Sequence, residues 1–229
     1  LFDWVGLETV AVALAIAYLL LAVRENILCW LCAFCSTAIY VWIFGDVNLY
    51  MESGLNIYYM AMALYGWYQW QYGGSSNQGV AISRWTATQH LQAAALILSA
   101  SWLSGYLLAQ STDARLPYID SFTTWASVVT TWMVARKVLE NWWYWMLINS
   151  VSIFLFIDRE LYQTAAMLGV YLLLSLIGYM AWRKTYIEQN SGSIAVGRTG
   201  IPASLAWACL RQNQRLLLSC LVVAPTKPF

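Results

Sequence analysis

Apolar positions along this chain gather into seven runs, at about 6–23, 26–44, 54–72, 90–109, 121–138, 141–157 and 161–182. Each is close to the ~20 residues that a helix needs to cross the hydrocarbon of a bilayer. Polar positions fall in the breaks. They include Arg24-Glu25, the Gly-Gly-Ser-Ser-Asn-Gln-Gly turn chemistry that opens 73–89, and a stretch with Asp113, Arg115, Pro117 and Asp120. The pattern predicts an all-α membrane protein with seven transmembrane helices. Beyond the seventh run it fails: 185–202 is polar and turn-rich, and 203–224 is apolar at its ends but interrupted by Arg211 and Arg215. Two arginines at mid-span cost about 5–7 kcal/mol. Residues 185–229 are therefore expected as a disordered or surface-lying tail.

The runs are related to one another. Glu25-Asn26 followed by Trp30 matches Glu140-Asn141 followed by Trp145 at a spacing of 115. At a spacing of 112, Leu49-Tyr50, Tyr59, Gly66 and Trp70 match Leu161-Tyr162, Tyr171, Gly178 and Trp182. The three-residue difference is expected in the turn between the second and third helices, where a deletion is tolerated. Helices one to three should thus repeat as five to seven. A three-helix unit fused directly to its copy would be inverted, and the unrepeated fourth helix restores the orientation. The expected architecture is two parallel three-helix repeats joined by a linker helix, with a substrate held between them near mid-membrane. Its parts are 1–72 (first bundle), 73–120 (loop and linker helix), 121–184 (second bundle) and 185–229 (tail).

Composition agrees with the pattern. Of the 229 residues 61% are hydrophobic and 10% charged, against roughly 25% charged in soluble domains. Net charge is +1, and no basic patch suggests nucleic acid. The chain opens at Leu1, as a trimmed chain or fragment would, without a visible signal peptide. Counting Lys and Arg near the span ends puts Arg24, Arg84, Arg136, Lys137, Arg183 and Lys184 on one face, and Arg115 and Arg159 on the other. The richer face is expected in the cytoplasm, together with the C-terminal tail. Cys29, Cys32 and Cys35 share an apolar helix with no His or carboxylate beside them; they read as packing residues, and no metal or cofactor is expected.

Candidate chemistry lies in polar and aromatic side chains inside apolar helices, because each one left unpaired there is costly. The richest stretch runs from Glu140 to Asn149. Trp142, Trp145 and Asn149 share one helical face, with Trp143 beside them: flat rings for stacking and one neutral amide. Glu52, Asn56 and Tyr59 share a face of the third helix, and Ser36, Thr37 and Tyr40 mark the second, where Trp30 is the fainter copy of the tryptophan cluster. Ser150 and Ser152 in the sixth helix, and Gln163, Thr164 and Tyr171 in the seventh, complete the set. Plainer roles compete. Trp and Tyr near span ends anchor helices at the interface, the reading preferred for Trp67, Trp70 and Trp182. Asn149 and Asn56 would equally bridge helices, Glu52 would be solvated, and His90 would be interfacial. No phosphate-binding Gly-rich loop and no Ser–His–Asp or His-Glu-x-x-His set is present, so hydrolysis has no support. Indoles, phenols and amides suit an uncharged or cationic aromatic ring bearing hydroxyls.

Three of these stretches resemble the PnuC family of bacterial vitamin transporters. They are Tyr65-Gly66-Trp67-Tyr68-Gln69-Trp70, Glu140-Asn141-Trp142-Trp143-Tyr144-Trp145 with Asn149, and Glu52, Asn56 and Tyr59 at their spacing. The likeness covers about 7–184 and leaves out the tail. It implies a SWEET-like seven-helix core, a homotrimer, and facilitated diffusion of nicotinamide riboside, driven by phosphorylation that traps the substrate inside. Relatives carry thiamine or riboflavin, so a carrier for another ring-bearing vitamin is the alternative. A membrane-embedded enzyme or receptor-like scaffold is the alternative of another class. The substrate-binding residues expected are Trp142, Trp143, Trp145, Asn149, Asn56, Tyr59, Glu52 and Trp30.

Overall fold

The computed structural model describes residues 2–46, 50–74, 77–111, 116–158 and 162–199. Among these described residues the elements are seven helices: α1 (Phe2–Val23), α2 (Leu28–Asp46), α3 (Tyr50–Tyr72), α4 (Ala87–Ser111), α5 (Pro117–Ala135), α6 (Asn141–Asp158) and α7 (Tyr162–Thr199). Over Gly6–Val23, Ala87–Ser111 and Ala165–Ser191 the helices are long and apolar enough to cross a membrane. The other helices are rich in Tyr and Trp, which hydropathy scales count as weakly polar. The molecule is apolar outside and partly polar inside. Leu91, Trp102 and Leu173 are 71%, 65% and 63% exposed, whereas Thr130 and Asn141 are fully buried. Such an exposed apolar surface belongs against lipid.

The described residues up to Arg183 form one compact unit, and a second begins at Lys184. In the first, α1 packs on α2, α2 on α3, α4 on α5, α5 on α6, and α3 on α5. Tyr58 of α3 donates to the Val128 carbonyl of α5 at 3.0 Å. Within the second unit the helix continues to Thr199. That corrects the turn-rich expectation for 185–202: Gly192 and Gly197 weaken a helix but do not stop it, and the first proline beyond α7 is Pro202. Residues 200–229, with the Arg211–Arg215 interruption, lie outside the described residues.

Contacts recur 112 residues apart. The α1–α2 turn is closed by Glu25 N–H to Ala22 O (3.0 Å) and Asn26 N–H to Leu21 O (2.9 Å). The α5–α6 turn is closed by Lys137 N–H to Val134 O (3.0 Å) and Val138 N–H to Met133 O (2.9 Å). Both are paired-bond helix ends with a left-handed residue, Glu25 at φ 53° and Lys137 at φ 49°. Farther on, the Trp30 ring fills the place of a missing Cβ at Gly66, and the Trp142 ring does the same at Gly178. Trp30 meets Trp70 edge-on at 5.4 Å, and Trp142 meets Trp182 edge-on at 5.4 Å. The partner of Trp30 in this scheme is Trp142, not the Trp145 that the 115-residue match selects. Close packing of an indole on a glycine fixes the register, whereas the Glu-Asn identity sits in the turn and constrains little.

Candidate functional site

The first unit holds a partly open cavity of about 230 Å³. Its wall comes from five helices: Ala15 and Tyr18 of α1, Trp30, Ala33, Ser36 and Thr37 of α2, Tyr59 of α3, Ser127 and Thr131 of α5, and Trp145 of α6. Among the described residues, none that lines the cavity carries a charge. Three of the hydroxyls spend their protons on the backbone: Ser36 on Ala11 O (2.8 Å), Thr37 on Ala33 O (2.8 Å) and Thr131 on Ser127 O (2.8 Å). Each oxygen keeps lone pairs, so the wall is a set of acceptors between aromatic faces. Tyr59 of α3 and Ser127 of α5 face the same cavity. The indole N–H of Trp30 is buried and has no acceptor among the described residues, a state that costs about 1–3 kcal/mol.

Of the residues singled out from the sequence, Trp30, Tyr59 and Trp145 line this cavity, with Ser36 and Thr37. Trp142 does not. It is 1% exposed, wedged against Gly178 and Trp182, and its N–H is also without an acceptor among the described residues. Trp143 is 52% exposed and packs its ring on Tyr179 at 5.1 Å. The three tryptophans therefore serve three surfaces rather than one stacking cluster. Asn149 is buried but not in the cavity wall, and Asn56 is half-buried. The side chains of Glu52, Gln163 and Thr164 lie outside the described residues. His90 is tied inward, its Nδ1 2.9 Å from the Tyr144 hydroxyl. Sequence reasoning passed over Tyr18, Ser127 and Thr131. A signal existed for the last two, hydroxyls four residues apart inside an apolar helix.

Between the cavity and the α1–α2 and α5–α6 turns lies an aromatic layer. Trp30 touches Trp70, and Trp70 touches Trp182 with ring centres 5.9 Å apart. Trp182 in turn touches Trp142. The indole of Trp70 donates to Val134 O of α5 (3.2 Å), and that of Trp182 to Ala22 O of α1 (3.0 Å). Beyond them the Lys137 ammonium stands 4.6 Å from the centre of the Trp70 ring and 3.0 Å from Glu25 Oε2. The α5–α6 turn is also strapped by the α3–α4 loop. Ser83 N–H donates to Lys137 O, Leu139 N–H donates to Ser83 O, and Arg84 pairs with Glu140 at 2.7 Å. Trp70 and Trp182 thus join helices to each other, where the sequence suggested interfacial anchors.

A family model described as nicotinamide mononucleotide transporter matches residues 5–184. The chain is 22% identical to the nicotinamide riboside transporter PnuC of Escherichia coli (strain K12) over 220 residues, 85% of this chain and 92% of that relative. It is 27% identical to the riboflavin/roseoflavin transporter RibM of Streptomyces davaonensis over 148 residues, 61% of this chain and 67% of that relative. Among solved structures, a crystal structure of the vitamin B3 transporter PnuC superposes with a TM-score of 0.62 at 22% identity, covering 79% of this chain and 81% of that one. The all-helical architecture is the one shared with that structure. A match that runs from α1 into α7, over helices with lipid-facing apolar surfaces, places this multi-pass membrane protein: the chain belongs to the nicotinamide mononucleotide transporter family.

Proposed function

We propose that this protein carries nicotinamide riboside across the bacterial inner membrane by facilitated diffusion. The observation that carries this reading is the cavity wall: aromatic faces of Trp30, Tyr59 and Trp145, hydroxyl acceptors from Ser36, Thr37, Ser127 and Thr131, and no charge. A cationic pyridine ring gains cation–π attraction from the indoles, and ribose hydroxyls find acceptors. A phosphate dianion would be desolvated with no cation to pair it, which favours the riboside over the mononucleotide. Among the described residues the wall holds no carboxylate and no histidine, which supports uncoupled transport, since proton or sodium coupling uses such groups.

The recurrence of contacts at 112 residues supports α1–α3 and α5–α7 as parallel repeats joined by α4, in the SWEET-like manner. All seven helices then cross the membrane, with the Arg24, Arg84, Arg136 and Lys137 face in the cytoplasm. A homotrimer follows from the family resemblance. The test is calorimetric titration of the purified protein with nicotinamide riboside, nicotinamide mononucleotide, thiamine and riboflavin. The riboside should bind, and the mononucleotide at least about tenfold more weakly. Tighter binding of thiamine or riboflavin would replace the substrate. Uphill uptake into proteoliposomes under a proton or sodium gradient would remove facilitated diffusion.

A further inference from the structure

The contacts between the cavity and the two turns are ordered in layers along α1 and α5. On α1, Ala15 and Tyr18 line the cavity, Ala22 accepts from Trp182, and Glu25 closes the turn. On α5, Ser127 and Thr131 line the cavity, Val134 accepts from Trp70, and Lys137 closes the turn. A helical rise of 1.5 Å per residue puts Ala135, the last residue of α5, about 6 Å beyond Thr131, and Lys137 lies in the turn that follows. Every layer joins the α1–α3 set to the α5–α7 set: Trp70 to Val134, Trp182 to Ala22, Trp70 to Trp182, Lys137 to Glu25. The outermost pair is shielded, its side chains 12% and 19% exposed.

Glu25 and Lys137 both hold the left-handed backbone conformation. Glycine takes it freely and other residues only at a cost. Charged residues at two such positions, meeting each other, point to a task for the side chains rather than for the turn. We infer that the Glu25–Lys137 bridge, laid over the Trp70–Trp182 pair, closes the permeation path at the end of the α1–α2 and α5–α6 turns. Substrate in the cavity leaves on that side only when the bridge parts. The inference rests on the carrier reading and adds to it the residues that decide which side the cavity opens to.

The test uses the full chain with its five cysteines replaced by alanine and Ser127→Cys set in the cavity wall. A membrane-impermeant thiol reagent is applied from the face of the turns, then from the opposite face. Glu25→Gln and Lys137→Met, the second keeping its stem on Trp70, should each speed labelling from the turn face about tenfold without speeding it from the other. Exchanging the charges (Glu25→Lys with Lys137→Glu) should restore most of the slow rate. Parent-like labelling in both single variants overturns the inference, as does an exchange variant that labels as fast as the singles. A variant that fails to fold is recognised by its melting curve, and the other single variant then decides. Should the unsubstituted chain show no binding of nicotinamide riboside, the carrier reading falls, while the labelling rates still judge the closure.

Discussion

At the scale of single residues, neighbouring tryptophans of one motif do different jobs. Trp145 faces the cavity, Trp142 fills the space over Gly178, and Trp143 lies on the outside against Tyr179. Trp145→Ala should weaken riboside binding by about 1–2 kcal/mol, close to tenfold, by removing a ring from a desolvated cation. Trp143→Ala should leave affinity within a factor of about two of the parent, since a surface ring contributes nothing to the wall. Calorimetric titration of the two variants checks both. The sequence could show that Trp142, Trp145 and Asn149 share a helical face, because that follows from helix geometry alone. It could not show which part of that face meets a cavity and which meets a neighbour, because that depends on a glycine 36 positions away. Trp30 and Tyr59 were legible for a simpler reason, as large polar-tipped rings inside apolar runs.

At the scale of elements, the tryptophan-on-glycine contact sets how closely helices approach. A Cβ at Gly178 would overlap the Trp142 ring, while one at Gly169 on the same helix would meet nothing within 4 Å. Gly178→Ala should therefore destabilise the fold by about 1–3 kcal/mol through overpacking. Gly169→Ala should be neutral, or stabilising by up to about 1 kcal/mol, through helix propensity. Thermal unfolding midpoints of the two variants in detergent give the comparison, and equal losses would mean that Gly178 is not a packing position. Seven elements were legible because each apolar run is bounded by turn residues and charge. Their ends were less so: α5 stops at Ala135, before the apolar Val138 and Leu139, because those residues turn back to pair with the 83–85 segment. That pairing is non-local, and periodicity carries no trace of it.

At the scale of the molecule, charge asymmetry and helix parity make one joint expectation. A reporter fused after Thr199 should read out in the cytoplasm; a periplasmic signal would reverse the orientation and put the Glu25–Lys137 bridge on the outer side. The cross-donation of the two tryptophans also bears on how the chain is made. The Trp70 indole is synthesised 64 residues before the carbonyl that accepts its proton, and Trp182 follows its acceptor Ala22 by 160 residues. At about 5–20 residues per second, 160 residues take roughly 8–32 s on the ribosome. α1 to α3 are complete by Tyr72, yet the Trp70 donor stays unanswered until Val134 is made, and the Ala22 carbonyl until Trp182. The first half of this protein is thus a long-lived, unfinished guest of the insertion machinery, and what completes it is the remainder of its own nascent chain.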